Sequence, residues 1–272
     1  MEVGLHALGI GTGAERTVVD AVAAAAERAG FATLWVGEHP EVTDANHPDV
    51  PVADWLDPFV TLSFAAAATN TIELATGVLA LPERNPAVVA RQAASLHKLS
   101  GGRLSLGVGA SGARTDYAEL DAPFERRGAW LTEYVAALRR RWNAGVGAGF
   151  ARLHSGPYPS DRSIPVVLGC SNEGALRLVA EWGDGWYGHG LRDVEDAAVC
   201  SSTLRRLCRE AGRDRGDLRL AVSLRDPQPG DLRRLADAGI DQLVLAATPP
   251  ADPIAAESWV SELARRWLSA AT

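Results

Sequence analysis

Glu38 and His39 are adjacent. A carboxylate beside an imidazole can take up and return a proton near neutral pH. The imidazole could also donate to a carbonyl of a bound ring, or only cap its own strand. A second candidate is the run Gly169-Cys170-Ser171-Asn172, which leads from an apolar stretch into a helical pattern. Free N–H groups at a helix start bind phosphate. An ordinary Ser or Asn N-cap is the plainer reading of the same residues. The third candidate is Thr76-Gly77-Val78. A glycine inside a strand weakens it unless a bulge or another backbone needs the room, so this is a place to look for a bound flat molecule. His189 and Arg225 are weaker substrate candidates, facing either a substrate or solvent.

Other chemistries find little support. No HxH or HExxH spacing occurs, so no metal site is expected. His6 reads as a core or near-core residue, and His47 and His154 fall in loops. There is no G-x-S-x-G elbow of a hydrolase. In Gly9-Ile10-Gly11-Thr12-Gly13-Ala14 the third glycine of a dinucleotide loop is replaced by Ala14. The three cysteines form no CxxC pair and read as reduced thiols of a cytoplasmic protein.

The elements that must hold these residues alternate along the chain. Strand patterns fall at Val3–Leu8, Thr33–Glu38, Ile72–Leu81, Leu104–Val108, Pro165–Cys170, Gly185–Gly188, Leu218–Leu224 and Gln242–Ala246. Helical patterns fall near 18–29, 58–69, 86–99, 130–142, 173–182, 193–211, 231–238 and 255–270. Eight βα units imply parallel strands with right-handed crossovers, and they close most naturally into an α/β fold of the (β/α)8 TIM-barrel type. Asp57-Pro58 and Asn85-Pro86 each place an N-cap before proline. Gly30, Gly101, Gly183 and Gly239 follow helices, where a left-handed residue is favoured. In such barrels function collects at the carboxyl ends of the strands, where all the candidates above lie.

Composition agrees with one barrel domain over 1–272. The chain has 272 residues, 47% hydrophobic and 22% charged, enough for a sizeable core. Its net charge of −7 argues against nucleic-acid binding. No apolar run is long enough to span a membrane, and no signal peptide is read. Of 27 basic residues only Lys98 is lysine, which points to a GC-rich bacterial genome. The irregular stretch 143–164, rich in Gly, Pro and Ser, reads as a short insertion before the fifth strand, near the active-site mouth.

Four segments carry a resemblance. They are AERAGFATLWVGEH at 26–39, residues 56–109, Asp121–Gly128 with Leu131 and Tyr134, and Pro165–Trp186. Together they resemble the luciferase-like monooxygenase superfamily, in particular its short coenzyme F-420-dependent branch. The resemblance implies a deazaflavin, or alternatively FMN, lying across the carboxyl ends of the strands. It implies a non-proline cis peptide at Gly77-Val78, whose bulge backs one face of the ring. It places Glu38-His39 at the ring edge, Gly107-Val108-Gly109 along the ribityl chain and Gly169-Cys170-Ser171-Asn172 at the phosphate. The implied activity is hydride transfer between the deazaflavin and a small organic substrate, with His39 and then Glu38 as proton donor. The alternative is a reduced-FMN monooxygenase using O₂ and served by a separate flavin reductase. A flavin-binding barrel without turnover is a third reading. A homodimer is also implied. The sugar-phosphate dehydrogenases of the branch carry a catalytic glutamate where this chain has Ala110, so that activity is not expected.

Overall fold

The computed structural model describes residues 1–38, 55–110, 124–143 and 163–271. Among them the chain forms strands β1 (Glu2–His6), β2 (Thr33–Val36), β3 (Glu73–Thr76), β4 (Leu79–Ala80), β5 (Leu104–Gly109), β6 (Val166–Gly169), β7 (Gly185–Leu191), β8 (Arg219–Leu224) and β9 (Gln242–Ala246). Every pairing between these strands is parallel. The order β3-β2-β1-β9-β8-β7-β6-β5-β4, with β3 also paired to β5, closes the sheet into an eight-position barrel. The expected continuous strand Ile72–Leu81 is thus two strands sharing one position. The break falls at Gly77-Val78, where the peptide bond is cis. β3 pairs with β5 through Leu74 and Leu104, and β4 resumes that pairing through Leu79 and Val108.

Among the described residues there are eight α-helices: α1 (Arg16–Ala29), α2 (Pro58–Ala67), α3 (Pro86–Leu99), α4 (Arg127–Asn143), α5 (Glu173–Trp182), α6 (Val194–Glu210), α7 (Asp231–Asp237) and α8 (Pro253–Ala271). Their starts follow from the sequence. The Asp57 carboxylate accepts from Val60 N, and the Asn85 amide oxygen from Ala87 N. Each cap satisfies an N–H that the first turn leaves open. Gly30, Gly101 and Gly239 adopt positive φ, as expected. Gly183 does not: its φ is −67°. A Cβ there would stand 3.0 Å from both Leu168 Cδ1 and Val179 O, so close packing of α5 on β6 requires this glycine.

Strand alternation separates two apolar zones. Leu34 and Val36 belong to the layer between sheet and helices, whereas Trp35, between them, belongs to an interior cluster with Ala75, Val167, Tyr187, Ala221 and Val244. Side chains two apart share a sheet face, and parallel barrel strands are covered on both faces. Trp35 stacks on Tyr187 with ring centroids 4.4 Å apart. The Trp35 indole N–H donates to the buried Gln242 side chain at 3.0 Å, and Gln242 donates to Thr33 Oγ1. At the amino end Arg219 bridges Glu2 and Glu73. The interior is therefore plugged from the amino end up to Tyr187, and the open space lies above it. No helix among the described residues is long and apolar enough to cross a membrane.

Candidate active site

A cavity of ≈ 560 Å³ opens above the Trp35–Tyr187 stack, at the carboxyl ends of the strands. Its wall draws on several strands: His6 from β1, Gly77-Val78 between β3 and β4, Gly169 from β6, and Tyr187 and His189 from β7. Gly37 and Glu38 follow β2, and Ala246 ends β9. Parallel strands bring these ends together although they are far apart in the chain.

Glu38 lies on the cavity wall, but its carboxylate is engaged. One oxygen accepts from Ala80 N at 2.8 Å, and the other is held by Arg84, which also reaches Asp57 Oδ2 at 2.8 Å. The Glu38 side chain is only 14% exposed. Both carboxylate oxygens are thus held by hydrogen bonds within the protein. Its evident work is to tie the end of β2 to β4 and to the N-cap of α2. His39, the neighbouring candidate, lies outside the described residues, as do His47, His154, Asp121–Pro123 and nearly all of the 143–164 insertion.

The segment Gly77-Val78 forms one side of the cavity, and glycines surround it for steric reasons. A Cβ on Gly77 would stand 2.9 Å from the Trp35 ring and 3.1 Å from the Tyr187 ring. A Cβ on Gly109 would meet Val78 Cγ2 at 2.8 Å, and one on Gly169 would meet Val78 Cγ1 at 2.5 Å. One on Gly107 would run into the Thr76 carbonyl. Thr76 itself is fully buried and donates to Gly107 O at 2.6 Å. Thr76, Gly107, Val108 and Gly109 are not part of the cavity lining. Gly107 and Gly109 pack close to Val78, and Val108 lies in the layer between sheet and helices, whereas Gly77, Val78, Gly169, Cys170 and Ser171 line the cavity.

Of the phosphate candidates, Asn172 caps α5, its side chain accepting from Ala175 N at 3.0 Å. Ser171 is exposed on the lining beside that helix start, so the unpaired first-turn N–H groups of α5 lie next to the cavity. Cys170 is no nucleophile: burial, helped by Cys200, pushes its thiol up to about 12. Arg225 is exposed, donates to Gly190 O at 3.2 Å, and is not part of the lining. Among the described residues no cluster of three or more His, Cys, Asp or Glu could hold a metal.

The polar side of the cavity is a chain of rings. His6 Nδ1 lies 3.3 Å from the Tyr187 hydroxyl, which lies 3.1 Å from His189 Nδ1. His189 Nδ1 is also 3.1 Å from Ser223 Oγ, and Ser223 Oγ accepts from Gly190 N at 2.9 Å. His6 is only 8% exposed, and burial, with His189 nearby, lowers its pKa to about 3. Burial also lowers that of His189 and raises that of Tyr187. At neutral pH both imidazoles are neutral and the phenol keeps its proton. His6 Nε2 is buried without a hydrogen-bond partner among the described residues. Sequence reading left His6 in the core and did not select Tyr187. The available signal was period two along β7, which puts Tyr187 and His189 on one face.

A ring-shaped cofactor fits what is present. The cavity has an apolar side at Val78, wall positions without side chains at Gly37, Gly77 and Gly169, a helix start at one edge and an orphaned imidazole nitrogen. Residues 5–265 match the family described as luciferase-like monooxygenase. The chain belongs to that family. A relative in Mycobacterium tuberculosis, an uncharacterized protein, is 33% identical over 272 residues, covering 93% of this chain and 95% of the relative. The fold is similar to that of an F420-dependent secondary alcohol dehydrogenase solved with an F420-acetone adduct, at TM-score 0.77 and 15% identity with 100% of both chains covered. It is also similar to a monooxygenase from Streptomyces bottropensis, at TM-score 0.73 and 18% identity over 99% of each chain. Members of the family are oxidoreductases or monooxygenases, and the neighbours of this fold include one solved with an F420 adduct and one solved with FMN.

Proposed function

We propose that this chain is a coenzyme F-420-dependent oxidoreductase moving a hydride between the deazaflavin and a small organic substrate such as an alcohol or carbonyl compound. The observation that carries the reading is the cavity itself. Val78 stands on one side of it, and neutral proton-handling rings stand on another. When bound, the deazaflavin supplies a carbon that accepts or returns the hydride. The protein's part is to bind, orient and move the proton. Val78 packs one face of the ring and leaves the other to the substrate. The start of α5, with Ser171, holds the anionic end of the cofactor. Gly107 and Gly109, off the lining, leave the room that Thr76 and Val78 need. Proton donation or acceptance is assigned to His39 on the sequence resemblance alone, and Glu38 before it is fixed by Arg84.

Reduced FMN with O₂ is the second reading, supported by membership of a family described by its monooxygenases; it would need a separate flavin reductase. A homodimer is part of the proposal. Its support is the set of exposed apolar side chains Val60 and Phe64 on α2 and Val88 and Leu99 on α3. The direct functional test is turnover of F-420 against a panel of simple alcohols, followed by loss of the oxidised deazaflavin absorbance. Turnover with one of them supports the reading. Oxygen-dependent product formation with reduced FMN and none with F-420 contradicts it.

A further inference from the structure

The hydroxyl of Tyr187 has one proton and two imidazole neighbours, His6 Nδ1 at 3.3 Å and His189 Nδ1 at 3.1 Å. A neutral imidazole carries its proton on one nitrogen only. If both Nδ1 atoms were bare, one would face the phenol oxygen lone pair to lone pair. If both carried protons, the buried hydroxyl proton of Tyr187 would have no acceptor among these neighbours. Ser223 Oγ, in contact with both Tyr187 and His189 Nδ1, can satisfy either of these arrangements, but neither passes a proton through the phenol from ring to ring. The arrangements that carry a proton through Tyr187 from one ring to the other are two. In one, His6 Nδ1–H donates to Tyr187 and Tyr187 donates to His189. In the other, the whole chain is reversed.

The outer nitrogens follow from this. In the first arrangement His6 Nε2 is bare and His189 Nε2 carries a proton; in the second the assignment is exchanged. His6 Nε2 is buried and unpartnered among the described residues, and it sits beside Gly37 at the cavity floor. A Cβ on Gly37 would be 3.1 Å from it and 3.2 Å from the Gly77 carbonyl oxygen, so a side chain at position 37 would crowd this nitrogen. His189 is exposed on the same lining.

We propose that His6, Tyr187 and His189 form a proton relay across the cavity floor, serving a substrate whose hydroxyl becomes a carbonyl as hydride leaves its carbon. The proposal rests on the reading of the cavity as a hydride-transfer site and gives the path of the substrate proton to these three residues in place of His39. The proton steps balance. The substrate O–H proton is taken at His6 Nε2. The Nδ1 proton of His6 passes to the Tyr187 oxygen while the Tyr187 proton passes to His189 Nδ1. His189 then releases its Nε2 proton towards the open side. One proton enters, one leaves, and no group in the relay is left charged. Reduction of a carbonyl runs the same steps backwards. Burial suits this: an imidazolium at His6 is disfavoured, so a concerted shift replaces a charged intermediate.

The test is the tautomer of each ring in cofactor-free protein, read from long-range proton–nitrogen correlations in ¹⁵N-histidine-labelled samples. The relay requires opposite tautomers, one ring protonated at Nδ1 and the other at Nε2. In Tyr187→Phe, which keeps the stack on Trp35, the opposition should be lost and both rings should carry the proton on Nε2. The same tautomer on both rings of the unaltered protein overturns the relay whether or not the variant folds; so does opposition that persists in Tyr187→Phe. Since no cofactor is present, failure to bind F-420 would sink the functional reading and leave this result untouched.

Discussion

Val78 occupies the space that a side chain at position 169 would need: a Cβ on Gly169 would lie 2.5 Å from Val78 Cγ1. Both residues line the cavity, so the packing of one sets the position of the other. Gly169→Ala should push Val78 into the ring site. Overpacking of this kind costs about 1–3 kcal/mol, and cofactor affinity should fall at least tenfold. Adding Val78→Ala removes the clashing methyls and should recover most of the stability. A double-mutant cycle by urea denaturation measures this coupling; additive effects would mean the two side chains do not compete.

Arg84 holds Glu38 and Asp57 together from a position only 23% exposed. Arg84→Ala leaves the Glu38 carboxylate with little more than its bond from Ala80 N. Lost charged hydrogen bonds of this type cost about 2–3 kcal/mol, a shift that thermal unfolding resolves. The variant should also bind cofactor more weakly, because Glu38 lies on the cavity wall.

Acid should destabilise the fold in two stages. The pKa of His6 falls from 6.5 unfolded to about 3 folded, through burial and then the neighbouring His189. Between these values the unfolded chain binds a proton that the folded one refuses. Stability is therefore complete above pH 6.5 and declines as pH drops towards 3, by up to about 1.4 kcal/mol per pH unit. Glu27 acts lower down. Its carboxylate accepts from the backbone N–H groups of Ile72, Thr71 and Asn70, which outweigh its desolvation and hold its pKa near 2 instead of 4.5. Its contribution is present above 4.5 and lost below. Denaturation curves at pH 7, 6 and 5 should show a slope that His6→Asn flattens by about one proton.

All three cysteine thiols are pushed up, chiefly by burial. Iodoacetamide at pH 8 should leave Cys170, Cys200 and Cys208 largely unmodified in the folded protein, and mass spectrometry after short exposure checks this. Rapid alkylation of Cys170 would mean a cavity wall more open and more polar than described.

The fold was legible because each βα unit is punctuated locally. Asp57 and Asn85 cap where their sequence places them, and apolar strand runs mark the barrel positions. The third strand was misread as continuous because a two-residue interruption barely disturbs an apolar run. Gly183 was misread because a glycine needed for close approach looks, in sequence, like one needed for positive φ. In the site, Glu38 was visible, but its partner Arg84 was not, since 46 residues separate them. His6 and Tyr187 are 181 residues apart and meet only because the barrel closes. A pair made by topology leaves no spacing to find. Gly107 and Gly109 were expected against the cofactor, and their small size is explained instead by Thr76 and Val78.

The central claim is that this cavity takes a deazaflavin. Its most direct test is a fluorescence titration of purified protein with F-420 and, separately, with FMN, repeated on Gly169→Ala. The account predicts saturable binding of F-420, much weaker binding of FMN, and a loss of F-420 affinity in the variant. Tight binding of FMN with no response to F-420 would contradict it.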